Sequence, residues 1–507
     1  MRHALGYYRG LIVAGRYTIP DGFPLAAKEP FYPALKHCIS THPMLSAAIR
    51  GELTETPELI RPETIDLSNH IEITQPISSA ADTRGELEAI KPLLCHTHDQ
   101  QFPDTSRIPP WKIVVIPIKT ASAPSAQAFW LLFSYSHSHG DGPSGLSFHR
   151  TFLSALRNPS AAAAASSTSS LSASDPIFHP PAKPLLPPVE QTTELPITWP
   201  FLLRPFVSSY LPTSVRSRLP SFGSKHLFFR ASVTPHRPDA WTALPTRYDA
   251  GDFRTGVAFA VADGKTVDGM LRRCRRHHGV KLTGALHGVV VRALSAALPP
   301  GPDAASFVAQ TAIDLRRLMP RFGAELASER NWDGAIGLCV SVAYHAFPRD
   351  EGDVEAIGVD GTEDIFWNRA RESTRVLAER SSTLTDQPIG LLKYLTNFRQ
   401  WLEGQVGKPR EGSYEISNIM AFDPAEGGEK EAKESKGWEV ERMLFSQPAN
   451  ATGSAVSFNI VTRKNGDMVV TLTWQKGVLG VEGDEEVWAK GVCASLERGM
   501  RALSGVQ

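Results

Sequence analysis

The apolar run Phe129-Trp130-Leu131-Leu132-Phe133 stops at a polar turn, Ser134-Tyr135-Ser136-His137-Ser138-His139-Gly140-Asp141-Gly142. Consecutive apolar residues bounded by Gly- and Ser-rich turn signals read as a buried strand. A helical stretch over 146–156 follows the turn. The pattern predicts a strand, a tight turn and a helix, with an imidazole delivered to the mouth of the strand.

The elements around this unit alternate in the same way. Residues 10–18 read as a strand and 30–40 as a helix with Leu35 and Ile39 on one face, ended by the turn His42-Pro43. Residues 111–118 read as a second strand, announced by Pro109-Pro110. Beyond Pro159 the composition changes. Ala/Ser low complexity over 161–174 and a proline-rich stretch over 180–188 predict a linker rather than a packed element, followed by a semi-helical segment over 201–219. A second lobe is expected from about Thr255, with strands over 257–261 and 307–313. One long helix over 271–298, broken near Gly279, carries Leu282, Leu286, Val289, Val290, Ala293 and Leu294 at helical spacing. Asn465-Gly466 between two alternating runs predicts a hairpin, and residues 423–436, rich in Lys, Glu and Gly, a solvated loop. The expected divisions are 1–158, a crossover over 159–254, and 255–507.

Bulk properties exclude several classes. The 507 residues suffice for two or more domains. At 42% hydrophobic and 21% charged residues the chain is globular rather than disordered. Lys+Arg and Asp+Glu both number 53, so neither nucleic acid nor an anionic membrane is expected as main partner. Cys38, Cys95, Cys274, Cys339 and Cys493 are scattered without a CxxC pair, which points to a reducing compartment. No run approaches the roughly 20 apolar residues of a spanning helix. Leu11-Ile12-Val13-Ala14, between Arg9 and Arg16, is too short for a signal peptide, which makes the cytosol the expected location.

His137 and Asp141 stand four residues apart, with Gly142 directly behind. This His-x-x-x-Asp-Gly spacing suits acyl transfer to an alcohol: a neutral imidazole takes the hydroxyl proton, and the carboxylate fixes the local structure that aims the ring. Asp141 also reads as a cap for the following helix. Gly142 is expected to adopt a backbone conformation closed to other residues. The Arg272, Arg273, Arg275 and Arg276 cluster suits phosphate but equally a solvated basic face. Cys95-His96-Thr97-His98-Asp99 is expected to be a loop, and His277 and His278 helix-surface residues.

The His137-x-x-x-Asp141-Gly142 element resembles that of the CoA-dependent acyltransferase superfamily, which includes chloramphenicol acetyltransferases, plant acyltransferases and peptide-synthetase condensation domains. Four further segments look like family segments in the same order. They are residues 31–45, with His42-Pro43-Met44-Leu45; Ile108-Pro109-Pro110-Trp111-Lys112; Ala312-Ile313-Asp314-Leu315-Arg316; and Ile416-Ser417-Asn418. The chain looks most similar to the fungal alcohol acetyltransferase branch. It departs from the family at Ser136, where a first histidine is common, and at Ile419-Met420, where glycine is more usual. It lacks the Asp-Phe-Gly-Trp-Gly loop of the plant branch. In that fungal branch a further N-terminal helix precedes the segment that begins here at Met1.

The resemblance implies two chloramphenicol-acetyltransferase-like α/β domains with mixed sheets flanked by helices, and an active-site channel at their interface. It implies His137 as general base, Asp141 as a structural carboxylate held by Arg50 or Arg316, and Ser417 or Asn418 as an oxyanion donor or channel residue. Arg272 and Arg275 become candidate CoA contacts. The co-substrate implied is acetyl-CoA, with no bound cofactor and no metal. The acceptor is a hydroxylated small molecule, a fungal secondary metabolite, and a monomer suffices. Two rival readings remain. His137-Ser138-His139-Gly140-Asp141 also matches the start of the His-x-His-x-Asp-His zinc motif of metallo-β-lactamase-like hydrolases, though Gly142 replaces its last ligand. A non-catalytic, repurposed condensation-domain-like protein is the other.

Overall fold

The computed structural model describes residues 1–78, 82–120, 123–160, 172, 174–203, 237–320, 332–357, 363–425 and 437–505. In chain order the strands are β1 (Gly10–Thr18), β2 (Ala48–Arg50), β3 (Glu58–Ile60), β4 (Ile65–Asp66), β5 (Ile71–Ile73), β6 (Ile77–Ser78), β7 (Trp111–Thr120), β8 (Ala123–Ser136), β9 (Ile177–Phe178), β10 (Thr255–Ala262), β11 (Ser306–Asp314), β12 (Val340–Pro348), β13 (Tyr414–Phe422), β14 (Glu439–Ser446), β15 (Val456–Arg463) and β16 (Met468–Gln475). The helices are α1 (Tyr32–Thr41), α2 (Thr83–Asp99), α3 (Gly142–Arg157), α4 (Val189–Thr192), α5 (Gly264–Arg276), α6 (Leu282–Ala297), α7 (Glu363–Arg380), α8 (Phe398–Glu403) and α9 (Glu485–Ser504).

Two mixed sheets organise these elements. One runs β14-β1-β8-β7-β5, with β6 also paired to β7; the other runs β10-β16-β15-β13-β11-β12. The unbroken apolar run of β8 follows from burial on both faces. Phe129, Leu131 and Phe133 pack with Phe31, Leu35, Phe148 and Phe152 of the α1 and α3 side. Trp130 and Leu132 join Leu87, Ile90 and Leu94 of α2, together with Val257 and Phe259 of β10. The second sheet is thus in contact with the first lobe through α2. Strand β14 ties the lobes further: it follows β13 in sequence but pairs antiparallel with β1, Ile12 opposite Ser446.

The expected hairpin forms, with β15 antiparallel to β16 and Asn465 at φ 60° in the turn. The long helix is two helices, α5 and α6, separated by Gly279 at φ 78°. Two local expectations are corrected. Residues 95–99 are the last turn of α2 rather than a loop, because they are tied down on both sides. His98 bonds the Gly10 carbonyl and the Ser446 hydroxyl, and Asp99 accepts from the Thr255 amide and hydroxyl. The described part of the crossover is packed rather than free. Phe178, Val189, Leu195 and Phe201 are buried, and Val189 and Leu195 share a core with Met319, Trp332 and Cys339. Burial of apolar side chains outweighs the extended bias of the prolines. Most of 161–174, residues 204–219 of the semi-helical segment and 426–436 of the expected loop lie outside the described residues. No helix among the described residues is long and apolar enough to cross a membrane.

Candidate active site

His137 sits just past the end of β8, half-buried, and its turn is locked from several directions. The ring Nδ1 lies 2.9 Å from the Gly140 carbonyl. A carbonyl only accepts, so Nδ1 carries the proton and Nε2 keeps its lone pair. Tyr8 packs against the ring with centroids 5.4 Å apart. Loss of water, partly offset by the Asp141 charge, lowers the His137 pKa below its ordinary value. The ring is therefore neutral at pH 7, the form a general base needs.

Asp141 points away from the ring and begins α3. Its carboxylate accepts from the Ser144 amide at 3.2 Å and hydroxyl at 2.8 Å, and Ser144 returns a bond to the Asp141 amide, a capping box. The same carboxylate reaches across to the second lobe. Arg316 donates Nη2 to Oδ1 at 2.7 Å and Nη1 to Oδ2 at 2.9 Å, and the Cys339 amide donates to Oδ2 at 2.9 Å. Arg316 is itself oriented by Asp314 at 3.0 Å. Burial acts to raise the Asp141 pKa, but the Arg316 guanidinium and these donors outweigh it and hold the group below the usual carboxylate value. The same pairing outweighs burial at Arg316 and raises its pKa. Of the two arginine candidates only Arg316 meets Asp141. Arg50 is a surface residue paired with Glu58, because the short β2–β3 hairpin sets the two opposite each other.

Gly142 corrects its expectation. Its φ is not in the left-handed region; a Cβ there would overlap the Ile419 side chain of β13. Close approach of the lobes requires the glycine. Across this contact, β13 separates the Ser-Asn pair by strand alternation. Tyr414 and Ile416 enter the helix-side core, and Asn418 bonds Thr283 of α6 at 3.1 Å. Glu415, Ser417 and Ile419 face the other way, toward the first lobe. The strand bulges after Asn418, and Met420 takes φ 71°. This explains why glycine would suit that position. Of the two oxyanion candidates, Ser417 is on the face that meets the His137 lobe.

Three groups near His137 escaped the sequence reading. Tyr8 donates its hydroxyl to Gln447 Oε1 at 2.6 Å, and Gln447 Nε2 donates to Glu415 at 2.8 Å and to Asn459 at 2.8 Å. They come from the N-terminal segment, the β14–β15 connection and β13, so no local pattern unites them.

Comparison with known proteins places this geometry. No protein-family profile matches the chain. It is 24% identical over 505 residues to "Probable alcohol acetyltransferase" of Fusarium pseudograminearum, covering 97% of this chain and 92% of that one. It is 23% identical to another probable alcohol acetyltransferase, from Aspergillus fumigatus, covering 94% and 93%. Among solved structures it superposes on the trichothecene 15-O-acetyltransferase of Fusarium sporotrichioides with a TM-score of 0.64 at 12% identity, covering 98% and 91%. The condensation domain of the Monacolin K polyketide synthase gives 0.54 at 10% identity, covering 98% and 92%. The chain has the fold of the CoA-dependent acyltransferases and condensation domains.

On this acyltransferase fold the remaining candidates take defined places. His139 is structural: Nε2 donates to the Ala47 carbonyl at 2.8 Å and Nδ1 accepts from Ser138 at 2.9 Å. Both nitrogens are used, so the ring does not serve the zinc motif, and no group of three ligating side chains occurs among the described residues. Ser136, at the usual first-histidine position, bonds Ser138 at 2.9 Å. Arg272 and Arg275 lie on the exposed side of α5, whose Val267, Met270 and Cys274 are buried in the second-lobe core. No described interaction links them to the His137 turn. His277, expected on the surface, stacks on Trp367 at 3.8 Å. The family-like segments also meet: the Trp111 indole donates to the Leu45 carbonyl at 2.7 Å.

Proposed function

We propose that the chain is an O-acyltransferase that moves an acyl group, acetyl first, from its CoA thioester to a hydroxyl of a small molecule. His137 Nε2 takes the hydroxyl proton as the alcohol oxygen attacks the thioester carbonyl. The tetrahedral intermediate collapses to the ester and CoA thiolate, which takes the proton back from His137 as free thiol. The developing oxyanion needs a fixed donor, and the Ser417 hydroxyl is the candidate. Asp141 holds the turn and takes no proton. The lobes are residues 1–158 and 255–507, joined by the crossover 159–254, with β14 returned to the first sheet. Arg272 and Arg275 are the candidate phosphate contacts for CoA. The acceptor class, a secondary-metabolite alcohol, is taken by analogy with the probable alcohol acetyltransferases and the trichothecene 15-O-acetyltransferase that the chain resembles. One chain in the cytosol suffices for this reading.

The observation that carries the reading is the neutral ring of His137, its Nδ1 proton bound to Gly140 and its Nε2 lone pair available where the lobes meet. The test is thiol release from acetyl-CoA over a panel of hydroxylated acceptors, wild type beside His137→Ala. Acceptor-dependent release that falls at least about 100-fold in the variant supports it, the scale of a general base. Near-wild-type turnover in His137→Ala removes it.

A further inference from the structure

The wall of β13 that faces the first lobe carries polar groups that the transfer step does not use. Glu415 accepts one bond, from Gln447, and forms no ion pair among the described residues. Glu411 lies just ahead on the same chain segment, with the Tyr344 hydroxyl 3.3 Å away as its described partner. Ser417, two residues beyond Glu415 on the same strand face, is 7% exposed and makes no side-chain hydrogen bond among the described residues. Its hydroxyl is not sealed from solvent and keeps a free donor and acceptor on that face.

Contacts link Glu415 to the histidine: Tyr8 packs on the His137 ring and donates to Gln447, which donates to Glu415. Glu415 is half-buried and Glu411 exposed, yet lost hydration raises both carboxyl pKa values. Gln447, held by Tyr8 and Asn459, fixes Glu415 in place and leaves its second oxygen open. The face thus presents the open oxygen of Glu415 and the free hydroxyl of Ser417, with Glu411 just ahead of the strand.

We infer that Glu415 determines acceptor specificity: the alcohol acylated at His137 carries a second hydrogen-bond donor, a hydroxyl or an ammonium group, that the Glu415 carboxylate receives. Ser417 completes its hydrogen bonding in the same complex, and Glu411 adds to the exclusion of anionic acceptors. This rests on the acyltransferase reading of His137. It adds to that reading a substrate class, donor-bearing alcohols rather than simple alcohols or hydroxy acids.

The test uses four probes of one skeleton: 3-phenyl-1-propanol, 3-phenylpropane-1,2-diol, phenylalaninol and phenyllactate. Ester formation from acetyl-CoA and direct calorimetric binding are both measured on the full chain. The diol or phenylalaninol should exceed the simple alcohol by about tenfold or more in kcat/KM or affinity, the scale of a hydrogen bond to a charged group, and phenyllactate should rank last. Which of the two leads identifies the donor as hydroxyl or ammonium. In Glu415→Gln the ratio of phenylalaninol to simple alcohol should fall, and phenyllactate should gain. The wild-type ranking tests the inference even if that variant fails to fold. Equal use of all four probes, binding of none, or a ranking unmoved by Glu415→Gln overturns it. Glu415-dependent binding without any ester would instead leave the inference and remove the transfer reading.

Discussion

His137 stands between two charged clusters that are built on opposite principles. On one side, Asp141 is saturated by Arg316, Ser144 and the Cys339 amide, and Arg316 is itself oriented by Asp314. On the other, Glu415, Glu411 and Ser417 have fewer partners than their chemistry allows. A buried charge is tolerated when paired and hydrogen-bonded. A polar wall left short of partners has its missing bonds to make with something that is not protein. The first cluster is scaffold and the second is the receiving side, and the histidine belongs to both.

The sharpest division between them is in acid. On the scaffold, burial holds His70, His98, His139 and His149 down to about 4 and His287 to about 3, against an ordinary value of 6.5. Below about pH 6.5 the unfolded chain takes up protons that the folded chain refuses, so stability is full above that pH and falls as pH drops toward 4. Each ring contributes about 1.4 kcal/mol per pH unit. The lowered Asp141 pKa acts in the same direction, its stabilisation being lost as pH falls through its folded value. The urea midpoint should drop steeply between pH 6.5 and 5. A flat profile would show that these rings are wetter than the structure has them.

Breaking the scaffold pair comes next. Arg316→Met leaves Asp141 buried without its cation and should cost about 3–5 kcal/mol in chemical unfolding. Combining it with Asp141→Asn should cost less than the two single changes added together. Strict additivity would mean the pair is not coupled, and the contrast with the open wall would collapse. His137→Ala should separate function from stability. Its loss of at least about 100-fold in turnover should come with an unfolding midpoint close to wild type, since the half-buried ring bonds only within its own turn and otherwise packs against Tyr8.

Gly142→Ala probes the lobe contact itself. Overlap with Ile419 should cost about 1–3 kcal/mol, and adding Ile419→Ala should restore much of it. If the double variant is no better than the single, the glycine is needed for its backbone after all. The smallest effect is expected at Arg50→Ala. Its exposed pair with Glu58 should matter by less than about 0.5 kcal/mol, and a larger loss would give Arg50 a role the structure does not show.

Much of the scaffold was legible in advance because it is written in short-range pattern. The run Phe129–Phe133, the Asn465-Gly466 turn and the break at Gly279 each declare themselves within a few residues. The His137-x-x-x-Asp141-Gly142 spacing is local too, and so the turn that aims the ring could be read directly. The choice of Arg316 over Arg50 could not, because the pair closes across 175 positions of chain. Nor could the reason for Gly142, which is a methyl group of Ile419 in the other lobe.

The receiving side was invisible for the same reason. Tyr8, Gln447 and Glu415 are ordinary residues in their own neighbourhoods, and only the return of β14 to the first sheet brings Gln447 between the other two. The separation of Ser417 from Asn418 depended on which face of β13 meets the first lobe. By itself the sequence determined several of the long strands, the cap at Asp141 and the histidine turn, since propensity and periodicity act over one or two turns of chain. The tertiary structure alone decided which charges are satisfied and which are left open, because desolvation and pairing depend on what packs against a group, wherever it lies in the sequence.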